Sequence, residues 1–427
     1  MFNTLESMMR LDYPNYEVIF ALQDPNDEAL PVVRMVMEKN PDVDARVIIS
    51  EFPHPRHMIQ RSPEGRWKRF TSLKGIADRV DPEKVGVNPK VNNLMAPFRE
   101  AKHDLLWVVD ATIAVTPGVL GRMVEAFLDS PDQSTNINDV ESHPLIADEE
   151  RPPPTAGQVG LVHQVPYAVV YEKTWGSLIE QAYLNSTHAK MYLSIVSGTK
   201  TGTAVDSSGA DIQNAVAIES CVVGKSCMYS RSSIGDIVTP SPTLRKLDPP
   251  PKGLAGFGPF MAEDNMIALS VWHDLKLKHR MVPDVALDFL GALDVRGYID
   301  RRARWIRVRK MMTLPATLLE PFTESLVAGI YGAWAFGRLT HGALPGWLFF
   351  VLNEVLWLLV DLDVRRNLAT NVRHIGPQPT TAAFIAAWAA REILALPIWT
   401  YAMLGSTVMW RGNRYRILAS GEAKRVD

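Results

Sequence analysis

The sequence predicts an α/β protein with a doubly wound mixed sheet, followed by C-terminal membrane-associated helices. Three observations carry this. Residues 1–50 alternate short apolar runs rich in strand formers with helical patterns, the rhythm of a parallel βαβ sheet. Residues 1–310 read like a soluble domain, whereas residues 313–410 hold most of the long apolar segments. Acidic residues end two predicted strands, where open α/β sheets place their ligands.

The elements follow in order. Phe2, Leu5, Met8 and Met9 recur at helical spacing, and Asp12–Pro14 break the pattern. YEVIFALQD reads as a strand that ends at Asp24, with a polar loop to Asp27. Residues 28–39 return to a helix, and DARVIIS is the next strand. VGVNPKVNNLMAPFREAKHD turns into a helix. LLWVVD is a buried strand closed by Asp110, and a helix follows in ATIAVTPGVLGRMVEAFL. QVGLVHQVPYAVV and CVVGKSCMYSR are strand-like. In PFMAEDNMIALSVW, Glu263 and Asp264 stand at a helix start, the end that the helix dipole favours for acids. Four stretches read as insertions: 51–84, 129–157, 198–215 and 236–258, the last an extended or mobile loop rich in proline.

Charge and cysteine content exclude some classes. Lys and Arg total 45 against 47 Asp and Glu, a formal charge of −2, so the basic excess of a nucleic-acid protein is missing. Two cysteines, Cys221 and Cys227, make no disulfide framework and fit a reducing compartment. Their spacing is not that of a zinc site.

Three stretches have the length to enter a bilayer: 314–338, 343–360 and 381–410. Each is interrupted by polar residues: Glu320 and Glu324, Asn353 and Glu354, Arg391 and Glu392. The alternatives are buried helices of a soluble domain or helices lying in the interface. Trp347, Trp357, Trp388, Trp399 and Trp410 favour a membrane, as does the basic segment RGYIDRRARWIRVRK, which the positive-inside rule places in the cytosol with the preceding domain. A polar tail, 411–427, closes the chain.

Asp24, Asp110, Asp264 and the run Arg301, Arg304, Trp305 stand out as candidate chemistry. Singly, a strand-end aspartate is a turn former or helix cap, and an arginine run is a membrane-flanking patch. Together they suit transfer from a sugar nucleotide. A diphosphate leaving group needs a divalent cation and guanidinium groups to take its charge. Asp110 offers the hard cation a carboxylate oxygen. Arg301 and Arg304 suit phosphate oxygens, and Trp305 a sugar or lipid face. An acceptor hydroxyl needs a base such as Asp264. A single displacement inverts the anomeric carbon.

These residues resemble the ceramide glucosyltransferase family, whose pattern is D, D, D, (Q/R)xxRW. Asp24 in ALQDPND, Asp110 in VVDATI, Asp264 in AEDN and RRARW at 301–305 occupy its positions. LDYPNYEV, NPDVDARV, VGVNPKVNNL, CVVGKSC and WRGNRYR look like the family too, and the insertions resemble the layout of fungal members. Thr112 stands where the wider superfamily often has the second aspartate of Asp-x-Asp, a departure that the ceramide branch shares.

The resemblance implies a GT-A-like catalytic domain over 1–310, membrane-embedded or interfacial helices over 311–410, and the polar tail. It implies UDP-glucose as donor, ceramide as acceptor, a lipid bilayer as partner, no nucleic acid, and a divalent cation, Mg or Mn. It places the protein in Golgi or ER membrane with the catalytic domain toward the cytosol. Asp24 would contact uridine; Asp110 would hold metal and diphosphate; Asp264 would be the base. Arg301, Arg304 and Trp305 would engage donor and acceptor, and Lys90 and Asn93 would line the nucleotide side. His188 in STHAKMY and Cys221 match family residues near the active site and the nucleotide, and each also reads as an ordinary surface histidine or buried thiol. The family carries a membrane helix and a first strand ahead of the segment where this sequence begins, so weak or absent activity is the expectation for the chain as written. Two rival readings are a processive polysaccharide synthase and a non-catalytic membrane scaffold.

Overall fold

A computed structural model describes residues 1–50, 77–80, 84–128, 158–196, 222–370, 378–410 and 412–426. Most of the insertions expected at 51–84, 129–157 and 198–215, together with Cys221, lie outside these residues. The chain divides into two units, each discontinuous in sequence. The first joins Met1–Val162 to Met228–His279, and the second joins His163–Cys227 to Arg280–Asp427.

The first unit opens with the expected alternation. Helix α1 (Phe2–Met8) precedes β1 (Val18–Leu22), α2 (Ala29–Lys39), β2 (Ala45–Ser50) and β3 (Ala77–Val80). The three strands form a parallel sheet in the order β1-β2-β3, with Val18 opposite Ala45 and Val47 opposite Ala77. Leu5 and Met9, then Leu30, Val33 and Val36 at helical spacing, pack with Phe20, Leu22, Val47 and Ile49 into one core. Next come α3 (Pro89–Glu100), β4 (Leu105–Val109), β5 (Ile113–Ala114) and α4 (Val119–Leu128). Strands β6 (Val159–Val170), β7 (Ser226–Ser230) and β8 (Lys278–Leu290) each run across the division of the units. With β4 and β5 they are ordered β4-β7-β6-β8-β5. Every residue of β6 is buried, which explains its near-continuous apolar sequence.

Helix α7 (Arg231–Asp236) leads into residues 236–258, and there the expected extended loop is instead folded. Val238 pairs with Lys252, two 3₁₀ turns cover Leu244–Lys246 and Gly253–Phe257, and Leu254 and Phe257 are fully buried. Residues 245–249, with Pro249 among them, are exposed, while the end of the segment packs inward at Leu254 and Phe257. Helix α8 (Glu263–His273) follows.

The second unit is largely helical. It contains α5 (Trp175–Tyr183), a π-helical turn (Leu184–His188), α6 (Ala189–Val196), α9 (Val295–Met312), α10 (Leu314–Leu319), α11 (Ser325–Leu339), α12 (Gly346–Ala369) and α13 (Thr381–Leu404). Phe384, Ala387, Trp388, Ile398 and Ala402 of α13 pack with Ile179, Ala182 and Tyr183 of α5 and with Ala303 and Ile306 of α9. The tail, expected to be a polar extension, folds back as an antiparallel sheet of β9 (Thr407–Trp410), β10 (Asn413–Ile417) and β11 (Ala423–Arg425).

Of the three stretches with the length to enter a bilayer, one is a helix long and apolar enough to cross it, among the described residues. The 3₁₀ turn Glu320–Thr323 splits the first, and α11, at 15 residues, is about 22 Å long, short of a hydrocarbon core of about 30 Å. Helix α12 has 24 residues but carries Glu354, Asp361 and Asp363. Helix α13 alone is both long and apolar enough. The polar residues that interrupt these stretches are turned inward and paired. Arg391, 1% exposed, lies 2.8 Å from Glu324 and also binds Glu392. Ser325 Oγ donates to Glu354 at 2.8 Å, and Asn353 Nδ2 donates to Ser325 O at 3.2 Å. Outward remain Trp334, Trp347, Leu352, Leu359, Ile393 and Leu404. An apolar surface of that extent signals a partner that excludes water.

Part of the basic run in α9 has a task beyond flanking a membrane. Lys310 Nζ donates to Met403 O at 2.9 Å and to Gly405 O, and Arg307 donates to Thr407 O at 3.0 Å. These cations satisfy carbonyls at the negative end of α13. Gly405 makes room for this: a Cβ there would lie 2.6 Å from the Arg307 guanidinium.

Candidate active site

In the first unit, the residues around Asp110 converge because of one helix cap. Asn88 is fully buried and caps α3, its Oδ1 accepting from Lys90 N at 2.8 Å and from Val91 N. Pro89 follows at the first helical position, where a missing N–H costs nothing. The Nδ2 of Asn88 donates to Phe260 O at 2.8 Å and to Glu263 Oε2 at 2.7 Å. Asn88 N also donates to Gly258 O at 3.0 Å. The chains meet so closely that a Cβ on Gly86 would fall 2.1 Å from the Gly258 carbonyl carbon. Alanine at either glycine would push the two segments apart.

This cap aims Lys90 at three acids. Its Nζ is 2.9 Å from Asp110 Oδ1 and 3.4 Å from Glu263 Oε1. Burial pulls the ammonium pKa down, but Glu263, Asp110 and Asp264 together more than reverse this, so the pKa rises and Lys90 stays charged. Asp110 directly follows β4, whose residues are half-buried rather than buried as expected, and Asp264 lies in the first turn of α8 beside Glu263. Thr112 is exposed and holds the position after Ala111.

Asp24 follows β1 and is half-buried. Its Oδ1 accepts from Asn26 N at 2.8 Å, so it also forms the turn that its residue type suggests. Gln23 Nε2 donates to Pro89 O at 2.5 Å, and Asn93 Nδ2 donates to Ala21 O at 3.0 Å. These bonds tie the strand end bearing Asp24 to the helix bearing Lys90. Asn93 Oδ1 is buried with no partner among the described residues, an acceptor left for a ligand.

A second cluster lies in the other unit. Arg301, Arg304 and Trp305 occupy one region of α9. Arg301 Nε stands 3.0 Å from Oε1 of Glu180, a fully buried acid in α5. The N–H does not point at the oxygen, so this is an ion pair without a good hydrogen bond. Burial and the neighbouring charge of Arg301 lower the pKa of Arg304. Trp305 stacks on His188, with ring centroids 5.6 Å apart at 29°, and Arg301 covers the same indole. His188 is buried, at variance with a surface histidine. Its Nε2 meets Tyr192 Oη at 3.0 Å, and its Nδ1 has no partner among the described residues. Burial, then Arg302, Arg309, Lys225 and Arg301, push its pKa well below the ordinary value, so the ring is neutral at physiological pH.

Asp110, Asp264 and Lys90 thus come together within one unit, with Asp24 at a strand end tied to the same helix, and the arginines, Trp305 and His188 come together within the other. Asn88, Glu263 and Glu180 are additions. Glu180 did leave a signal, a lone acid in the apolar run WGSLIEQAY. Cys221 lies outside the described residues. Cys227 is a buried thiol, donating from Sγ to Val223 O at 3.0 Å.

Residues 1–55, 75–137 and 154–423 match the family model Glycosyl transferase family 21. The chain belongs to glycosyl transferase family 21. Its relatives include a ceramide glucosyltransferase of Komagataella phaffii, 30% identical over 97% of this chain and 79% of that protein. A ceramide glucosyltransferase of Candida albicans is 27% identical over 97% of this chain and 83% of its own length. Ceramide glucosyltransferase 1 of Caenorhabditis elegans is 23% identical over 99% and 70%. Among the described residues of this family 21 chain, no group of three or more His, Cys, Asp or Glu is arranged for a metal ion. A magnesium-type cation shared with substrate phosphates needs only one or two carboxylates, and Asp110, with its side chain 36% exposed, meets that need.

Proposed function

We propose that this family 21 glycosyltransferase transfers glucose from UDP-glucose to the primary hydroxyl of ceramide, giving β-glucosylceramide. The observation that carries the reading is the charged cluster of Lys90, Asp110 and Glu263 beside Asp264, in a chain whose relatives bear the name ceramide glucosyltransferase. Lys90 is a fixed cation, suited to the growing charge of a departing diphosphate. Asp24 and the orphan Oδ1 of Asn93 serve the uridine side. Asp264 takes the proton of the acceptor hydroxyl as that oxygen attacks the anomeric carbon, and the single displacement inverts it. A divalent cation held by Asp110 would add positive charge against the diphosphate. Arg301 and Arg304 are the further cationic groups for phosphate, with Arg301 oriented by Glu180. Trp305 offers its face to sugar or lipid.

The catalytic domain is of the GT-A-like type, and the protein resides in Golgi or ER membrane with that domain on the cytosolic side. Helix α13 with the outward apolar residues of α11 and α12 supports membrane residence.

The test is product formation. Protein in lipid vesicles with UDP-glucose and ceramide yields β-glucosylceramide, read by mass spectrometry and by the anomeric proton coupling. Asp264→Asn lowers kcat at least about a hundredfold, the scale of general base catalysis. Formation of an α-linked product, or undiminished turnover by Asp264→Asn, defeats the proposal.

A further inference from the structure

The second unit contains a chamber that none of the assignments above uses. It is lined by Tyr183, Tyr298, Arg302, Glu320, Glu324 and Arg391, with an aliphatic side from Val327 of α11 and from Ala395 and Leu396 of α13. We propose that this chamber receives one uncharged polar group, a hydroxyl or amide, of the lipid acceptor; the inference rests on the function just proposed.

Two observations point to a ligand. Tyr183 and Tyr298 are 4% and 2% exposed, yet neither phenolic hydroxyl has a hydrogen-bond partner among the described residues. Their oxygens are not among the atoms sealed off by protein, so each can bond a group that enters the chamber. Both line the chamber. Tyr183 is held in place there, since the Arg302 guanidinium caps its ring at 3.6 Å. Burial lifts its pKa to about 12, and Tyr298 shifts in the same direction, so both are neutral donor-acceptors.

Charge balance specifies the ligand class. Arg302 pairs with Glu320 at 3.3 Å, Arg309 also holds Glu320, and Arg391 holds Glu324 and Glu392. Three guanidiniums meet three carboxylates, so the walls have no spare charge. A phosphate or an amine would have to break a buried pair to gain a partner. A hydroxyl or amide needs only the phenols. The enclosed space suits one small polar group, so the remainder of the ligand extends past the aliphatic side, where Leu396 is 45% exposed on α13, the helix long and apolar enough to cross a bilayer among the described residues. An amphiphile with an uncharged polar end fits; a free sugar or a charged lipid does not. Tyr183 also touches the second cluster, with its ring centroid 6.4 Å from that of Trp305 and 5.1 Å from that of His188. The chamber therefore adjoins the Arg-Trp motif.

The test measures binding of fluorescent ceramide to the full chain in nanodiscs, without donor, for the protein and for Tyr183→Phe, Tyr298→Phe and the double variant. Each single variant keeps its ring and loses one hydroxyl, and is expected to bind about tenfold more weakly. Ceramide phosphate is expected to bind the unmodified protein at least tenfold more weakly than ceramide. Equal ceramide affinity in the double variant, no binding by the unmodified protein, or equal affinity for the charged lipid overturns the proposal. Turnover separates the two claims. Tyrosine-dependent binding without glucosylceramide formation sinks the proposed function and leaves the chamber standing. Turnover with an unchanged ceramide KM in the double variant does the reverse.

Discussion

Glu263→Gln tests whether the buried relay from Asn88 through Glu263 to Lys90 and Asp110 is a single functional object. Glutamine keeps the volume and still accepts the bond from Asn88 Nδ2, but it presents no charge to Lys90 Nζ at 3.4 Å. At an effective dielectric constant of about 20, the lost attraction is about 5 kcal/mol at that distance. That is a ceiling. Lys90 keeps Asp110 at 2.9 Å and its side chain is 27% exposed, so solvent and the second acid absorb much of the change. About 2 kcal/mol of stability is the expected loss. A double-mutant cycle with Lys90→Met isolates the pair, using unfolding of the detergent-purified chain as readout. The expected coupling is 1–2 kcal/mol, on the order of other contacting charges. In parallel, calorimetric titration with UDP should show about tenfold weaker binding to Glu263→Gln, because a misplaced ammonium meets the diphosphate less well. Additivity within about 0.5 kcal/mol, with UDP affinity unchanged, would refute the relay.

Three further outcomes follow from buried charge. Glu180→Gln leaves Arg301 beside Arg304 without its acid, so the chain should lose about 2 kcal/mol and kcat should fall about tenfold; an unchanged melting temperature and rate would show the ion pair to be idle. His163 is fully buried with neither ring nitrogen partnered among the described residues, and burial lowers its pKa to about 4. The unfolded chain therefore binds the extra proton between pH 4 and about 6.5, and stability present above pH 6.5 falls on acidification, by about 2 kcal/mol at pH 5. His163→Asn should flatten that slope in pH-dependent unfolding. Lys190→Met strands Asp361, which is wholly buried and otherwise bonded by Trp388 Nε1 at 2.8 Å, and should cost about 3 kcal/mol; Asp361→Asn added on top should recover part of it.

The sequence made residues 1–50 legible because their periods change cleanly. Leu30, Val33 and Val36 share a helix face, and YEVIFAL and DARVIIS are short β-rich runs. Strand β8 was not legible. Lys278, His279, Arg280, Pro283, Asp284 and Asp288 break both alternation and apolar continuity, and it forms because its neighbours supply the context. Asp110 and Asp264 were readable as motif residues. The relay that joins them was not, since Asn88 meets Phe260 and Glu263 across more than 170 residues of chain. The C-terminal acids were misleading for a similar reason. Glu324 and Glu392 interrupt apolar stretches in one dimension, and in three they share Arg391.

The π-helical turn at Leu184–His188 has a consequence for how this site is encoded. Tyr183 and His188 are five residues apart, and in a regular α-helix that spacing would turn them about 140° away from each other. The wider turn brings their rings to 5.1 Å, and Asn185 clamps it through two bonds to Ala168 of β6. Position along the chain is therefore a phase. Deleting one residue between Tyr183 and His188 would restore an α-helix and set the two rings four residues apart, about 40° around the axis and still on one face. The extra residue is absorbed locally, so what it contributes is the placement of Asn185 against Ala168, and a substitution at Asn185 would cost the site more than the loss of the bulge itself.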